Sequence, residues 1–452
     1  MRFTKITASI GPATESPQML KALAKAGANA FRLNFSHDTG DSQGRRIKEI
    51  RRLAAPVAII ADLQGPKHRI GDFLGGSAVL KKGARFAFDD NPAPGGDTRV
   101  CLPDAAALAA LRVGDVILLN DGRQEFKVLR AAKTKVLTEI VRGGEVKDRR
   151  GFNLPNTELH QPILTDKDKK DLEFAIKQDI DYVAVSFVQR PKDISDVRGF
   201  IAKRTSKPIK IIAKIERPQA LAEIEGIIRA SDGIMIARGD LAVETPFYEV
   251  PAISRRLIKI CRDMNKPIIM ATQMLSSMTE NEFPTRAEIS DVATAAYLRA
   301  DSGMTSEETT IGKHPVKTIE TMAAILNHAD QDGIYNHYDW TKVLDGENAW
   351  GKSVVSLASL NNAAAIVIFT HGGTNARNIS SRRPDIPIVA VCEKEIIGRQ
   401  LCLYRGVVSI CDKAIFDKRD FKRAAALAGI GAGYLVVVEN DSITLAHTST
   451  KS

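Results

Sequence analysis

Short runs of apolar, β-branched residues alternate with stretches whose apolar positions recur at helical spacing, from the N-terminus to about residue 323. Eight runs stand out, at 6–10, 30–35, 57–63, 182–187, 209–215, 233–237, 267–272 and, more weakly, 301–305. Near-continuous apolarity over so few residues fits a strand buried on both faces, and strands separated by helices fit a parallel sheet. Helix starts are marked as well: Ser16 precedes the pattern at 17–26, and Thr165 precedes the one at 166–178. Most steps from run to run span about 25 to 35 residues, the size of a βα unit. Eight such units predict an α/β chain built on a closed (β/α)₈ TIM barrel.

One step departs from this rhythm. From Asp62 to Tyr182 the chain runs on for about 120 residues, far more than one crossover helix needs. Gly75-Gly76, Asp121-Gly122 and Gly143-Gly144 punctuate strand-like runs at 116–119 and 125–129, which predicts an inserted small β-barrel lid. The barrel pattern ends near Ala323, and the stretch 334–340 reads as a junction. Beyond it αβ alternation resumes, with a helix at 352–360 and strands at 365–370, 387–391 and 434–438. The expected division is a barrel over 1–71 and 161–332, a lid over 72–160 and a C-terminal αβ unit over 333–452.

Composition narrows the function classes. At 452 residues and 44% hydrophobic, the chain has material for several buried cores. The net charge of +10 raises the question of nucleic acid, but the basic residues are scattered. Lys167 to Lys170 alternate with Asp166, Asp168 and Asp171, and the pairs Arg149-Arg150 and Arg255-Arg256 lack interleaved aromatics, so neither a groove-reading element nor a stacking platform is supplied. Small anionic substrates account for the charge better. The five cysteines form no CxxC pair and read as reduced thiols, and no apolar stretch reaches the roughly 20 residues that span a bilayer. A cytoplasmic protein without membrane partners is expected.

The ends of the predicted strands carry the chemistry. Lys214 and Glu216 stand two apart, so an extended backbone aims an ammonium and a carboxylate to one side. The next run ends at Asp240 and the one after it at Thr272, while earlier ends present Arg32, Asn34, Ser36, Asp62 and Ser186 and the last presents Ser306 and Glu308. Any one of these is explained by an ordinary rim salt bridge. Recurrence at matched strand ends points instead to an active site at the C-terminal mouth. Glu216 and Asp240 offer hard oxygen donors suited to Mg²⁺, or Mn²⁺, rather than zinc, and Lys214 and Arg32 suit a phosphoryl group.

The chain resembles the pyruvate kinase family. The likeness runs from Thr4-Lys5-Ile6 to Lys313-His314-Pro315 through Arg32-Leu33-Asn34-Phe35-Ser36-His37, Gly65-Pro66 with Arg69, Gly151-Phe152-Asn153-Leu154-Pro155, Lys214-Ile215-Glu216, Ala237-Arg238-Gly239-Asp240-Leu241, Ala271-Thr272-Gln273-Met274 and Pro284-Thr285-Arg286-Ala287-Glu288. The resemblance implies phosphoryl transfer from phosphoenolpyruvate to ADP, giving pyruvate and ATP, in a homo-oligomer, by family habit a tetramer. It implies that Glu216 and Asp240 hold the divalent metal and that Lys214 stabilises charge in flight. Arg32 and Arg69 would clamp the phosphate, and backbone N–H groups at Gly239 and Asp240 would meet the substrate carboxylate. Thr272 would sit near the carbon that is protonated. Nucleotide contacts map to His37, Arg69 and Arg150, where a Lys is more usual.

Departures from the family pattern carry information. Members that require K⁺ have Glu where this chain has Lys67, and Leu63-Gln64 accompanies the Lys as in the K⁺-independent group. An ammonium among Asn34, Ser36 and Asp62 would replace the ion, so K⁺ is not expected as a cofactor. The family's Ser-Gly-Glu-Thr reads Ser306-Glu307-Glu308-Thr309, which implies either a locally distorted last strand or weaker catalysis. The alternative function is therefore a catalytically weakened relative that binds metabolites as a sensor or partner. Thr370, Gly373 and Thr374 match the position of the family's effector loop, and a phosphate cradle and a plain tight turn both fit. No longer loop follows 436–438, so control by fructose bisphosphate is not expected.

Overall fold

In the computed structural model the eight apolar runs close into one parallel barrel, in chain order around the ring. It describes residues 1–36, 40–54, 56–157, 159, 161–332, 349–440 and 442–448; His37 and the junction at 334–340 lie outside them. The strands are Lys5–Ile10, Ala30–Asn34, Ala58–Asp62, Tyr182–Val185, Lys210–Ile215, Gly233–Ala237, Ile268–Ala271 and Ser302–Thr305. Six are buried at every position, which is why they read as unbroken apolar runs. The half-buried exceptions are Arg32 and Asn34 in the second strand and Lys210 and Lys214 in the fifth. Three of those four lie toward the C-terminal mouth.

The last strand is not distorted. Its ladder to the first strand runs from Lys5↔Ser302 to Ala8↔Thr305, and Ser302 also pairs with Ile269. Its polarity is absorbed locally, since the Ser302 and Thr7 hydroxyls bond at 2.9 Å. Helix starts follow the sequence reading. Ser16 caps Pro17–Ala26, and Thr165 forms a capping box with Asp168 at the head of Asp166–Lys177. Asp168 also accepts from the Gly65 amide at 3.1 Å, and Gly65, at φ 70°, lies so close to Ser186 that a Cβ would stand 2.9 Å from the serine Cβ.

Strands between Ser77 and Asn153 form sheets of their own, one of six strands and one of two. They share a core in which Phe86, Phe88 and Phe126 meet, Phe88 and Phe126 edge to face at 5.0 Å. Among the described residues the ladders do not join into a closed ring, in contrast to the expected small β-barrel; the helix Ala105–Ala110 intervenes between Arg99–Cys101 and Val116–Leu119. In the C-terminal unit a five-stranded sheet runs in the order Val407–Ile410, Ile388–Cys392, Ala365–Thr370, Tyr434–Glu439, Ser442–His447. Its first and last strands were not apparent in the sequence, where they are short or exposed. Glu439 stands opposite Ser442 in the antiparallel ladder that joins the last two.

This unit seals the floor of the barrel. Cys402 and Leu403 pack among Ala30, Ala58, Ile60 and Tyr182. Around them Tyr182 Oη donates to Gln400 O at 2.7 Å, Lys5 Nζ donates to Val407 O at 2.6 Å, and ion pairs join Arg383 to Asp301 and Arg399 to Asp181. Among the described residues no helix is long and apolar enough to cross a membrane.

Candidate active site

The fifth strand ends by placing Lys214 at the centre of the C-terminal mouth. Its ammonium lies 2.9 Å from Glu216 Oε1, 3.3 Å from Asp62 Oδ1 and 2.7 Å from Ser186 Oγ, so ends of the third, fourth and fifth strands converge on one nitrogen. Burial works against its charge; the charges of Asp62 and Glu216 outweigh burial and hold it charged well above the usual lysine range. Asp62 shows the converse. Burial pushes it up, but Lys214 and Arg32 together hold it below its ordinary value. Arg32 reaches it from the second strand, with Nε 2.7 Å from Oδ2. Asp62 Oδ1 is buried and receives no hydrogen bond, although the ammonium faces it.

Glu216 is 1% exposed, and its other oxygen accepts from the Phe187 amide at 2.6 Å. Its proton affinity is raised, first by burial and then by the negative charge of Asp240, with Lys214 opposing. Two carboxylates that repel one another at a mouth rimmed with cations fit a divalent ion bound through oxygen. Asp240 opens from the short helix Arg238–Glu244. Among the described residues no cluster of three or more His, Cys, Asp or Glu could hold a metal by itself.

Thr272, one residue past the seventh strand, has φ 68°, a conformation that a β-branched residue adopts only when its surroundings force it. Its hydroxyl accepts from Gly239 N at 2.8 Å and donates to Ala271 O at 2.6 Å. Arg238 maintains the bend: Nη2 donates to Thr272 O at 2.7 Å, Nε to Ala271 O at 3.2 Å, and Nη1 meets Asp291 at 2.7 Å. No role was assigned to Arg238 or Phe187 from sequence. Arg238 sits inside a quoted motif, but its partner Asp291 is 53 residues away and nothing local announces it.

A cleft of about 500 Å³ opens beside these groups, lined by Gly239, Asp240, Thr272, Ser306 and Glu307 from the barrel and by Asp121 from the inserted sheets. Glu307 is exposed on this wall, whereas Glu308, also on the wall, is buried and accepts from Leu275 N at 3.2 Å. Asn34 Oδ1 accepts from Ser36 N at 3.0 Å. Lys67 stands apart from that pair. It is exposed where the chain leaves the barrel, its Cε near Gly151, and among the described residues it makes no hydrogen bond or ion pair with Asn34, Ser36 or Asp62. Arg69 and Arg150 are exposed at the same crossing; Arg69 Nη1 donates to Arg149 O and Arg69 bridges to Gly151, while Arg150 faces a hollow with Asn120 and Lys147. In the C-terminal unit the Gly373 amide donates to Thr370 Oγ1 at 2.9 Å, and Arg377 donates to Thr374 Oγ1 and Gly372 O.

Comparisons with known proteins converge. The family profile described as pyruvate kinase, barrel domain, matches residues 1–319, and that of the pyruvate kinase alpha/beta domain matches 348–446. A pyruvate kinase of Methylorubrum extorquens is 39% identical over 440 residues, covering 94% of this chain and 90% of the relative. One from Agrobacterium vitis is 40% identical over 446 residues, covering 96% and 92%. Among solved structures, a pyruvate kinase from Cryptosporidium parvum superposes with TM-score 0.93 at 29% identity, over 99% of this chain and 96% of that one.

Proposed function

The chain belongs to the pyruvate kinase family and is a phosphotransferase that moves the phosphoryl group of phosphoenolpyruvate to ADP, and from that premise we propose which residues carry each part of the reaction. The observation that carries the assignment is Lys214, a buried ammonium kept charged between two carboxylates at the barrel mouth. It stabilises negative charge on the phosphoryl group in flight and on the enolate left behind. Arg32 and Arg69 clamp the phosphate, the backbone N–H groups around Gly239 and Asp240 receive the substrate carboxylate, and Thr272 delivers the proton to carbon, directly or through water. The strained backbone at Thr272 supports that placement, because it fixes the hydroxyl against Gly239. Arg150 and His37 contact the nucleotide, and closure of the inserted sheets over the cleft excludes water that would compete for the phosphoryl group.

Glu216 and Asp240 would hold Mg²⁺, or Mn²⁺, and the ion would supply charge neutralisation for the phosphoryl group. The reading includes a homotetramer. A coupled lactate dehydrogenase assay tests it: turnover below about 0.1 per second with saturating phosphoenolpyruvate, ADP and Mg²⁺ would favour the weakened relative instead. That alternative gains nothing from the comparisons, which match both units of the chain.

Potassium independence belongs to the same proposal. Asp62 Oδ1 accepts no hydrogen bond, and Lys67 stands exposed on a flexible stem where the chain leaves the barrel. Activity in tetramethylammonium buffer is expected to match that in KCl within about twofold; a many-fold rise on adding KCl would remove Lys67 from this role. Glu307 presents a negative charge to a cleft that receives anions. The variant Glu307→Gln is expected to lower the KM for phosphoenolpyruvate by roughly three- to tenfold at low ionic strength, with the difference shrinking in salt. An unchanged KM at low salt would show that this carboxylate does not face the substrate.

A further inference from the structure

Three of the five cysteines gather where the C-terminal sheet meets the barrel floor. Cys392 ends the strand Ile388–Cys392, Cys411 follows Val407–Ile410, and the pairing of Val391 with Ile410 sets the two side by side. Both side chains lie under one residue of the covering helix, which brings the two thiols close together. Gly398, in the helix Glu395–Leu401, lies directly over them: a Cβ there would fall 2.2 Å from Cys411 Sγ and 3.7 Å from Cys392 Cβ. The absent side chain is what makes room for the contact.

The two sulfurs differ in access. Cys392 is fully buried, whereas Cys411 is exposed and opens onto a cavity of about 540 Å³ between barrel and C-terminal sheet, beside Arg51, Pro56, Asp179 and Arg399. The neighbouring Cys392 thiol holds Cys411 below the usual cysteine range, while Cys411 and burial push Cys392 up. An accessible, more acidic thiol backed by a buried one is the arrangement of an attacking and a resolving pair. Cys402, nearby, is engaged elsewhere, its sulfur 3.3 Å from both Ser409 Oγ and Pro56 O.

We propose that Cys411 and Cys392 form a redox modification site that a low-molecular-weight disulfide of the glutathione type converts reversibly to an intrachain disulfide. The Cys411 thiolate attacks one sulfur of the small disulfide, whose S–S bond breaks as the Cys411 mixed disulfide forms; the departing thiolate takes up a proton. The Cys392 thiol then loses its proton and attacks the Cys411 sulfur, releasing the second small thiol. Two protein thiols are oxidised and one small disulfide is reduced to two thiols. The site lies at the opposite end of the barrel from Lys214, and nothing in the phosphoryl-transfer chemistry uses it.

The test incubates the full chain with oxidised glutathione, alkylates the remaining thiols, and maps the peptides by mass spectrometry. Titratable thiols are expected to fall from five to three, with a Cys392–Cys411 linked peptide that dithiothreitol abolishes. The variant Cys392→Ser is expected to stop at a glutathione adduct on Cys411. Five thiols remaining, a lasting adduct on the unsubstituted chain, or a link through Cys402 would each overturn the proposal.

Discussion

Replacing Lys214 by methionine is expected to lower kcat by about 10²- to 10³-fold while divalent-cation binding persists. The side chain is similar in length, so the mouth keeps its shape and loses one positive charge. Without it Glu216 loses its ion pair and keeps the Phe187 amide, and Asp62 keeps Arg32 at 2.7 Å. Folding stability should therefore drop too, by about 3 kcal/mol, because two buried carboxylates lose a shared partner. Measured together, kcat from the coupled assay, Mn²⁺ binding by calorimetry and the urea midpoint separate the two effects. A folded variant with kcat within tenfold of the parent would end the role given to Lys214.

The second large effect concerns stability alone. Asp301 is fully buried beneath the last strand, accepting from Arg383 at 2.9 and 2.6 Å, from Arg405 N at 3.0 Å and from Ile268 N at 3.1 Å. Arg383 is itself 2% exposed. Truncation in Asp301→Ala leaves a buried guanidinium without its counter-charge, which costs about 3 to 5 kcal/mol. The variant Asp301→Asn retains acceptors for part of the network and should lose less. Chemical denaturation followed by far-ultraviolet dichroism reads both; a loss below about 1 kcal/mol for the alanine variant would mean that the floor relaxes to admit water.

The barrel was legible because its strands are covered on both faces and so carry a signal that no surface strand can. The strand 233–237 matches residue for residue. The insertion was legible for a different reason, as a break in spacing. The pairing of Lys214 with Glu216 followed from alternation along one extended segment. Thr272 could be noticed as a strand-end hydroxyl, but its φ of 68° and its hold on Gly239 depend on Arg238 and Asp291, which meet only in the folded chain. Lys67 was singled out by family resemblance and by no local pattern, and the chain is already turning toward the inserted sheets at that point. Short or exposed strands such as Val407–Ile410 and Ser442–His447 left no periodic trace strong enough to read.

The sealed floor has a consequence for how the chain is made. Cys402 and Leu403, which fill the apolar bore among Ala30, Ile60 and Tyr182, follow the last barrel strand by about a hundred residues. During synthesis the ring of strands emerges from the ribosome before its stopper exists, and at ordinary elongation rates the interval lasts on the order of 5 to 20 seconds. For that time the nascent barrel carries an open greasy well at its base, the surface that general chaperones bind. Truncation after residue 332 would make this condition permanent. The C-terminal unit thus serves catalysis before it meets any ligand, as the last piece without which the earlier ones have nothing to close upon.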